Sequence, residues 1–343
     1  MPDAPQDWTD PGAYPVAPGV HRIPLPLPQD GLRAVNVYAV EDGDALLLVD
    51  GGWALAVSQA SLASSLASIG RDVREVRRIL VTHVHRDHYT QAVALRRAFG
   101  PTVALGSGEK PSLDLITTWD ERDPLGPQVA LLLRAGAPEL AAAVGTRRRA
   151  DGPPDLADWQ PPDHWLDDGT DVALAGRVLR AVATPGHTRG HTVFHDAAHA
   201  LLFAGDHVLP HITPSLAFEP APPRSPLADY LSSLALVRAI PDAVLLPAHG
   251  PAGPTVHQRV DELVAHHEHR LEGTLAGLRA GASTAFEVAG TLGWTRRGTP
   301  FADLDVFNRM LATLETAAHL ELLVDRGHVT SATDGAGVVR YTA

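Results

Sequence analysis

The sequence predicts an α/β fold in which sheets and helices stack in layers, followed by a smaller, mainly helical unit. Two observations predict the layers: short runs rich in Val, Leu and Ile end in Gly, Asp or Pro, and stretches with apolar residues at helical spacing alternate with them. A third separates the helical unit: after Pro251-Ala252-Gly253-Pro254 the apolar spacing becomes helical for most of the remaining chain. The chain has 343 residues. That is about twice the ~150 residues of an average domain, so two domains are expected, 1–252 and 253–343.

In chain order, residues 19–24 and 34–40 alternate loosely as strands, and 45–49 is a continuous apolar run ending in Asp50-Gly51-Gly52. Residues 55–69 show helical spacing, 78–82 read as a buried strand, 89–99 as a helix and 103–105 as a strand. Between 107 and 165 the pattern loosens, with prolines, Trp119, Trp159 and one helical stretch at 128–144, which predicts an insertion or lid. Strands return at 172–174, 178–183, 192–195, 201–203 and 244–246. A helix at 227–239 has Ser225 as its expected N-cap and Pro226 at its first position. Beyond 255, a long helix begins near Val256, and Thr284 with Glu287 forms a capping-box pattern. A further helix spans 306–323, and strands at 329–333 and 338–342 flank a turn at Asp334-Gly335. Three helices and a terminal hairpin predict a winged-helix-like unit. It carries 8 Arg against 11 Asp+Glu over 255–343, net −3, so packing or dimerisation is expected of it rather than duplex reading.

Composition excludes several functions. Lys+Arg number 28 and Asp+Glu 40, a formal charge of −12 that disfavours a general polyanion binder. Apolar residues at 45% and charged residues at 20% exclude disorder as the overall state. No cysteine is present, which removes disulfides, thiolate zinc sites and cysteine nucleophiles. The acidic, proline-bearing start lacks the features of a secretory signal, and no apolar run approaches the ~20 residues that span a bilayer, so a soluble cytoplasmic protein is expected.

The chemistry is concentrated in Thr82-His83-Val84-His85-Arg86-Asp87-His88, directly after an apolar strand. On an extended segment His83 and His85 share a side, and where the chain turns into a helix Asp87 and His88 face a second point nearby. Imidazole nitrogen and carboxylate oxygen are the ligands that zinc and similar borderline ions accept. A solvated polar loop is the competing reading. Against it stand three more polar groups at the ends of apolar strands: Thr184-Pro185-Gly186-His187-Thr188-Arg189-Gly190-His191, Gly205-Asp206-His207 and His249-Gly250.

The order H-x-H-x-D-H, T-P-G-H-T-x-G-H, G-D and a late H-G resembles the metallo-β-lactamase superfamily. It looks most like the hydroxyacylglutathione-hydrolase and lactamase-like endoribonuclease branches. Val35-Asn36-Val37-Tyr38 and Leu48-Val49-Asp50-Gly51-Gly52 add to the likeness, which covers roughly 19–250. It implies a four-layer αββα fold, with the C-terminal unit similar to a winged-helix appendage. It also implies one ion held by His83, His85 and His187, a second held by Asp87, His88 and His249, and Asp206 bridging the two. Zinc is the expected metal, with iron or manganese as alternatives. Where the family often has two small residues after D-H, this chain has Tyr89-Thr90, a change expected to reshape the pocket mouth and place Tyr89 against substrate.

The implied activity is hydrolysis of a thioester, ester or lactone of a small molecule by a hydroxide bridging two divalent ions. Asp87 is expected to ligate and to orient the hydroxide, and His191 to act from behind the ligands. His207 is expected to line the pocket and His211 to serve as general acid. His266, His267 and His269 read as a solvated or interface face of the long helix, and a homodimer through the terminal unit is an expectation. The alternatives are a metal-dependent endoribonuclease, disfavoured by a single lysine in the chain (Lys110), a mononuclear-iron sulfur dioxygenase, and a DNA-binding sensor.

Overall fold

The continuous apolar character of residues 45–49 has a simple cause: both faces of that strand are covered. Leu46 and Leu48 enter one core, Leu47 and Val49 another, as the period-two alternation of a strand requires. This arrangement is seen in a computed structural model that describes residues 7–28, 31–118, 126–151, 155–216, 218–253, 255–295 and 298–343. Trp119 lies outside these residues.

The first sheet has seven strands in chain order: β1 (Tyr14–Ala17), β2 (Val20–Pro26), β3 (Ala34–Asp42), β4 (Ala45–Val49), β5 (Val76–Val81), β6 (Thr102–Gly106) and β7 (His164–Leu166). β1 to β4 are antiparallel and β4 to β7 run parallel. The parallel pairs need crossovers, and α1 (Ala56–Ser68) and α2 (Arg86–Phe99) supply those from β4 to β5 and from β5 to β6. Both pack on the outer face, where Leu62 and Leu66 of α1 and Ala92 and Val93 of α2 meet Ile23, Val37, Leu48, Ile79 and Val103.

The second sheet comprises β8 (Asp171–Leu174), β9 (Arg177–Ala183), β10 (Thr192–Asp196), β11 (Leu201–Gly205) and β12 (Val244–Pro247), in the order β12-β11-β10-β9-β8. Its inner face meets the first sheet through Leu179, Phe194, Phe203 and Leu246 against Val20, Tyr38, Leu47 and Leu80, with Tyr38 and Phe203 in edge contact at 5.4 Å. Its outer face is covered by α6 (Pro226–Ala239), through Leu227, Tyr230, Leu234 and Val237. The layers are therefore helix, sheet, sheet, helix.

The loose region is more ordered than its composition predicts. It forms α3 (Lys110–Thr117), α4 (Gly126–Arg134), α5 (Pro138–Asp151) and then β7, three residues too short to register as a strand pattern. The single helical stretch expected at 128–144 is two helices, broken at Gly136, whose φ of +79° is left-handed. Leu132, Leu140 and Val144 of this pair pack on Met310 and Leu314.

The C-terminal region contains α7 (Val256–Arg279), α8 (Ala285–Thr291), a short hairpin β13 (Gly293–Trp294) and β14 (Thr299–Pro300), α9 (Val306–Asp325), and a hairpin β15 (Thr330–Thr333) and β16 (Val339–Thr342). The capping box at α8 forms, with Glu287 N–H donating to Thr284 Oγ1 at 3.2 Å and Thr284 N–H to Glu287 Oε2 at 3.1 Å. Ser225, expected to cap α6, makes no such bond, because its residue is turned away from cap geometry and its Oγ is buried without a partner. Val260, Leu263 and Leu271 of α7, Leu320 and Leu323 of α9 and Tyr341 of β16 share one core with α6 and the outer face of the second sheet. His267 departs from the expected solvated face. It is fully buried, with His319 Nε2 3.2 Å from its Nδ1. Among the described residues no helix is long and apolar enough to cross a membrane.

Candidate metal centre

Strand ends converge at one edge of the two sheets. Thr82 and His83 follow β5, His187 follows β9, Asp206 follows β11 and His249 follows β12. His85 is the N-cap residue of α2, which puts Asp87 and His88 in its first turn. The backbones join directly, with Thr192 N–H donating to Thr82 O at 2.8 Å. Gly205 has a φ of +50°, and a Cβ there would lie 2.7 Å from Thr82 and from His191 Nε2, so only glycine lets the chain turn here and present Asp206.

The seven residues expected as ligands fall into two adjoining groups. In the first, His83 Nε2 is 3.0 Å and His187 Nε2 3.1 Å from His85 Nδ1. In the second, His249 Nε2 is 3.5 Å and His88 Nε2 3.6 Å from Asp87 Oδ2. Asp206 stands between them. Its Oδ2 is 3.4 Å from His187 Nε2, while its Oδ1 is 3.4 Å from His249 Nε2 and 3.7 Å from His88 Nε2. These groups could hold metal ions.

The outer ring nitrogens decide how well. His83 Nδ1–H donates to Thr82 Oγ1 (3.1 Å), His88 Nδ1–H to Asp50 Oδ2 (3.0 Å), His187 Nδ1–H to Ser215 O (2.7 Å) and His249 Nδ1–H to Ala34 O (2.8 Å), tautomers following from the partners. In the neutral ring each Nε2 is therefore left as a lone pair, the form an ion would meet once it displaces the extra proton that His88 holds in its absence. The three inward nitrogens of the first group share at most one proton, so hydrogen bonding alone cannot satisfy them. His88 Nε2, His249 Nε2 and Asp206 Oδ1 are buried with no hydrogen-bond partner. Nitrogens bound about 2.0–2.1 Å from one centre at tetrahedral angles lie roughly 3.3 Å apart, close to the spacing of the first group. The donor set fits divalent cations.

Electrostatics agree. Burial and the neighbouring imidazoles hold His83 well below its usual range, and bring His85 down to about 3. Burial brings His187 down to about 4. All three are neutral imidazoles, the ligating form. Burial opposes charge on Asp87, but His88, His249 and His85 hold its carboxyl at about 2. At His88 burial opposes charge as well, yet Asp50, Asp87 and Asp206 outweigh it and push the ring up to about 10, so the acidic side of the cluster draws positive charge.

A profile of the metallo-beta-lactamase superfamily matches residues 30–249. The chain belongs to the metallo-beta-lactamase superfamily. A metallo-beta-lactamase family protein from Thermus thermophilus, solved by crystallography, is 31% identical with a TM-score of 0.76, and the match covers 96% of this chain and 99% of that one. The lactamase-like protein nscB of Aspergillus fumigatus is 28% identical over 247 residues, 72% of this chain and 57% of that protein. The atrochrysone carboxyl ACP thioesterase of Aspergillus fumigatus is 26% identical over 255 residues, 74% of this chain and 47% of that protein. The match thus spans about half the length of these two curated relatives. Superfamily membership bears out the expected layered α/β fold of residues 30–249.

Other expected site residues lie elsewhere than sequence placed them. Tyr89 is fully buried in the outer core and donates its hydroxyl to Gln160 O at 2.6 Å, so it does not shape a pocket mouth. His207 is fully buried between Tyr230 and His191 rather than lining a cleft. His211 is exposed beside Gly250, outside both groups of the cluster. His191 does not face the cluster with a free nitrogen. Its Nε2 accepts from Asp206 N–H at 3.1 Å and its Nδ1–H donates to Thr184 Oγ1 at 2.9 Å, while its ring stacks on His83. Both of its ring nitrogens are engaged by Asp206 and Thr184. His191→Ala is therefore expected to retain ion content and lower activity less than His187→Ala, about 10-fold, as removal of supporting partners usually does. Equal loss of metal in both variants, by elemental analysis, would make His191 a ligand instead.

Residues given no role in the site from sequence also shape it. Asp50 supports His88 and Thr82, and Phe218 lies 5.9 Å from the His85 ring and 5.5 Å from Phe307 of α9.

Proposed function

We propose that the protein is a dinuclear-metal hydrolase of small-molecule acyl compounds, thioesters foremost, with esters and lactones in the same class. The observation that carries this is the division of one buried carboxylate between two groups: Asp206 Oδ2 toward His187, Oδ1 toward His88 and His249. His83, His85 and His187 would hold one ion, Asp87, His88 and His249 the other, and Asp206 both; zinc suits this nitrogen and carboxylate set. When bound, two divalent ions lower the pKa of water toward ~7 and polarise the acyl carbonyl. Asp87, held ionised, would accept a hydrogen bond from the attacking water and set its direction. His191 holds the backbone of Asp206 in register. No side-chain nucleophile is required, which is consistent with a chain lacking cysteine.

Substrate class follows from the aromatic wall and from the relatives. Phe218 stands beside His85, and Phe307 packs edge-on against it while remaining 42% exposed. Such a surface receives an apolar acyl portion. The thioesterase named above supports a thioester. Phe307→Ala is expected to raise KM about 5-fold for a thioester with an apolar acyl chain, from about 1 kcal/mol of lost contact, with little change in kcat. An unchanged KM would remove Phe307 from the substrate wall.

The decisive experiment measures hydrolysis of an acyl thioester, a lactone and a single-stranded RNA alongside metal content. Thioester turnover lost on chelation and restored by Zn2+ is the expected result, with RNA left intact. Full turnover by protein stripped of every transition ion would overturn the reading, and RNA cleavage in place of thioester hydrolysis would move it to the endoribonuclease class.

A further inference from the structure

Glu109 opens the region that sequence reads as an insertion, yet it reaches the centre of the site. It is fully buried in the turn after β6. Its Oε1 accepts from the Thr188 hydroxyl and from Val84 N–H, the latter at 3.4 Å. Val84 lies between His83 and His85, and Thr188 follows His187. One oxygen thus touches both loops that bear the three imidazoles of the first group. The backbone delivers it there: a Cβ on Gly190 would lie 2.1 Å from Glu109 N, and one on Gly108 2.8 Å from Gly190 Cα, so the two turns are in direct main-chain contact. That contact accounts for the second glycine of the T-P-G-H-T-x-G-H pattern.

The other side of the carboxyl points to a held proton. Glu109 Oε2 and Glu219 Oε1 are both buried without a partner, while Glu219 Oε2 accepts from Ser112 Oγ at 2.7 Å. Burial and the nearby Glu219 push Glu109 up to about 8, and burial pushes Glu219 up to about 7, with Arg189 opposing both shifts. A neutral carboxyl that joins both loops through one oxygen is a connector that glutamine can imitate. A buried acid is costly where an apolar residue would pack, so its presence between these loops calls for a reason beyond packing.

We propose that Glu109 is a positioning residue that fixes the spacing of His83, His85 and His187, and through it the affinity of the first of the two ion sites. The proposal rests on the two-ion reading. Its content is selective: the clamp acts on the loops of one group and leaves Asp87, His88 and His249, held by Asp50 and Ala34, alone.

The test uses the full chain, stripped of metal and titrated with Zn2+ against a chromophoric chelator, with Co2+ spectra as a second readout. Thr188→Val removes the hydroxyl without changing shape, and Glu109→Ala removes the clamp. Both are expected to weaken one of the two binding steps by about 10- to 100-fold, with the other nearly unchanged, and to alter the Co2+ absorption of that step alone. Glu109→Gln is expected to restore the affinity to within a few-fold of wild type, because its amide oxygen still accepts from both loops. Two unchanged steps in Thr188→Val, or equal weakening of both with a lowered Tm, would show that Glu109 merely packs. If Glu109→Ala does not fold, Thr188→Val and Glu109→Gln decide. Wild-type protein that takes up no divalent ion would instead sink the two-ion reading itself.

Discussion

Asp206→Ala is expected to lower turnover by ~1,000-fold or more, equivalent to about 4 kcal/mol of transition-state stabilisation, while the chain remains folded. The first half follows from position, since the two carboxylate oxygens face different imidazole groups and no other described residue does this. The second follows from what the carboxylate lacks. Asp206 Oδ1 is buried without a hydrogen-bond partner, and His191 grips the backbone N–H, which alanine keeps. Burial costs the Asp206 carboxylate free energy, and the support it lends His88 is shared with Asp50 and Asp87, which remain. Measured in chelator, the variant should therefore melt close to the wild-type Tm, although its activity and metal content collapse. Near-normal turnover with full metal content would defeat the bridging role.

Much of this was legible in sequence because the physics is local. The runs at 45–49 and 201–203 are apolar on both faces since each strand lies between two layers. The ligands were legible because each follows such a run at a turn. Direction was not. Asp206 and His207 are neighbours, yet one enters the cluster and the other packs against Tyr230. His88 and Tyr89 are consecutive on a helix, so their side chains diverge by about 100°, one toward Asp206 and one toward Gln160. Glu109 was hidden for a different reason. Its partners lie 25 and 79 positions away, and nothing in its own neighbourhood, Ser107-Gly108-Glu109-Lys110, marks it. Long-range polar contacts of this kind leave no periodicity to read.

Asp50→Ala is expected to differ from Asp206→Ala in the metal-free chain. Asp50 is also buried and also an aspartate, but each of its oxygens is engaged: Oδ1 accepts from Thr82 N–H at 2.8 Å and from Thr82 Oγ1 at 3.0 Å, Oδ2 from His88 Nδ1–H at 3.0 Å. Alanine would strand those donors in a buried site, costing about 2–4 kcal/mol and lowering Tm even in chelator. It would also place a Cβ-only residue at a φ of +63°, which aspartate and asparagine tolerate better. Ion affinity should fall by about 10- to 100-fold, because His88 loses the bond that fixes its tautomer and its direction. Asp50→Asn separates the two effects. The amide oxygen can still serve Thr82, so stability should stay within about 1 kcal/mol of wild type. Its NH2, however, meets His88 Nδ1 as a donor and drives the ring proton to Nε2, the nitrogen that faces Asp87 and Asp206. A stable chain with a weakened second ion site is the expected outcome, read by thermal melting in chelator and by Zn2+ titration. Wild-type affinity at both sites in Asp50→Asn would mean that Asp50 holds the loop and has no part in setting the tautomer of His88.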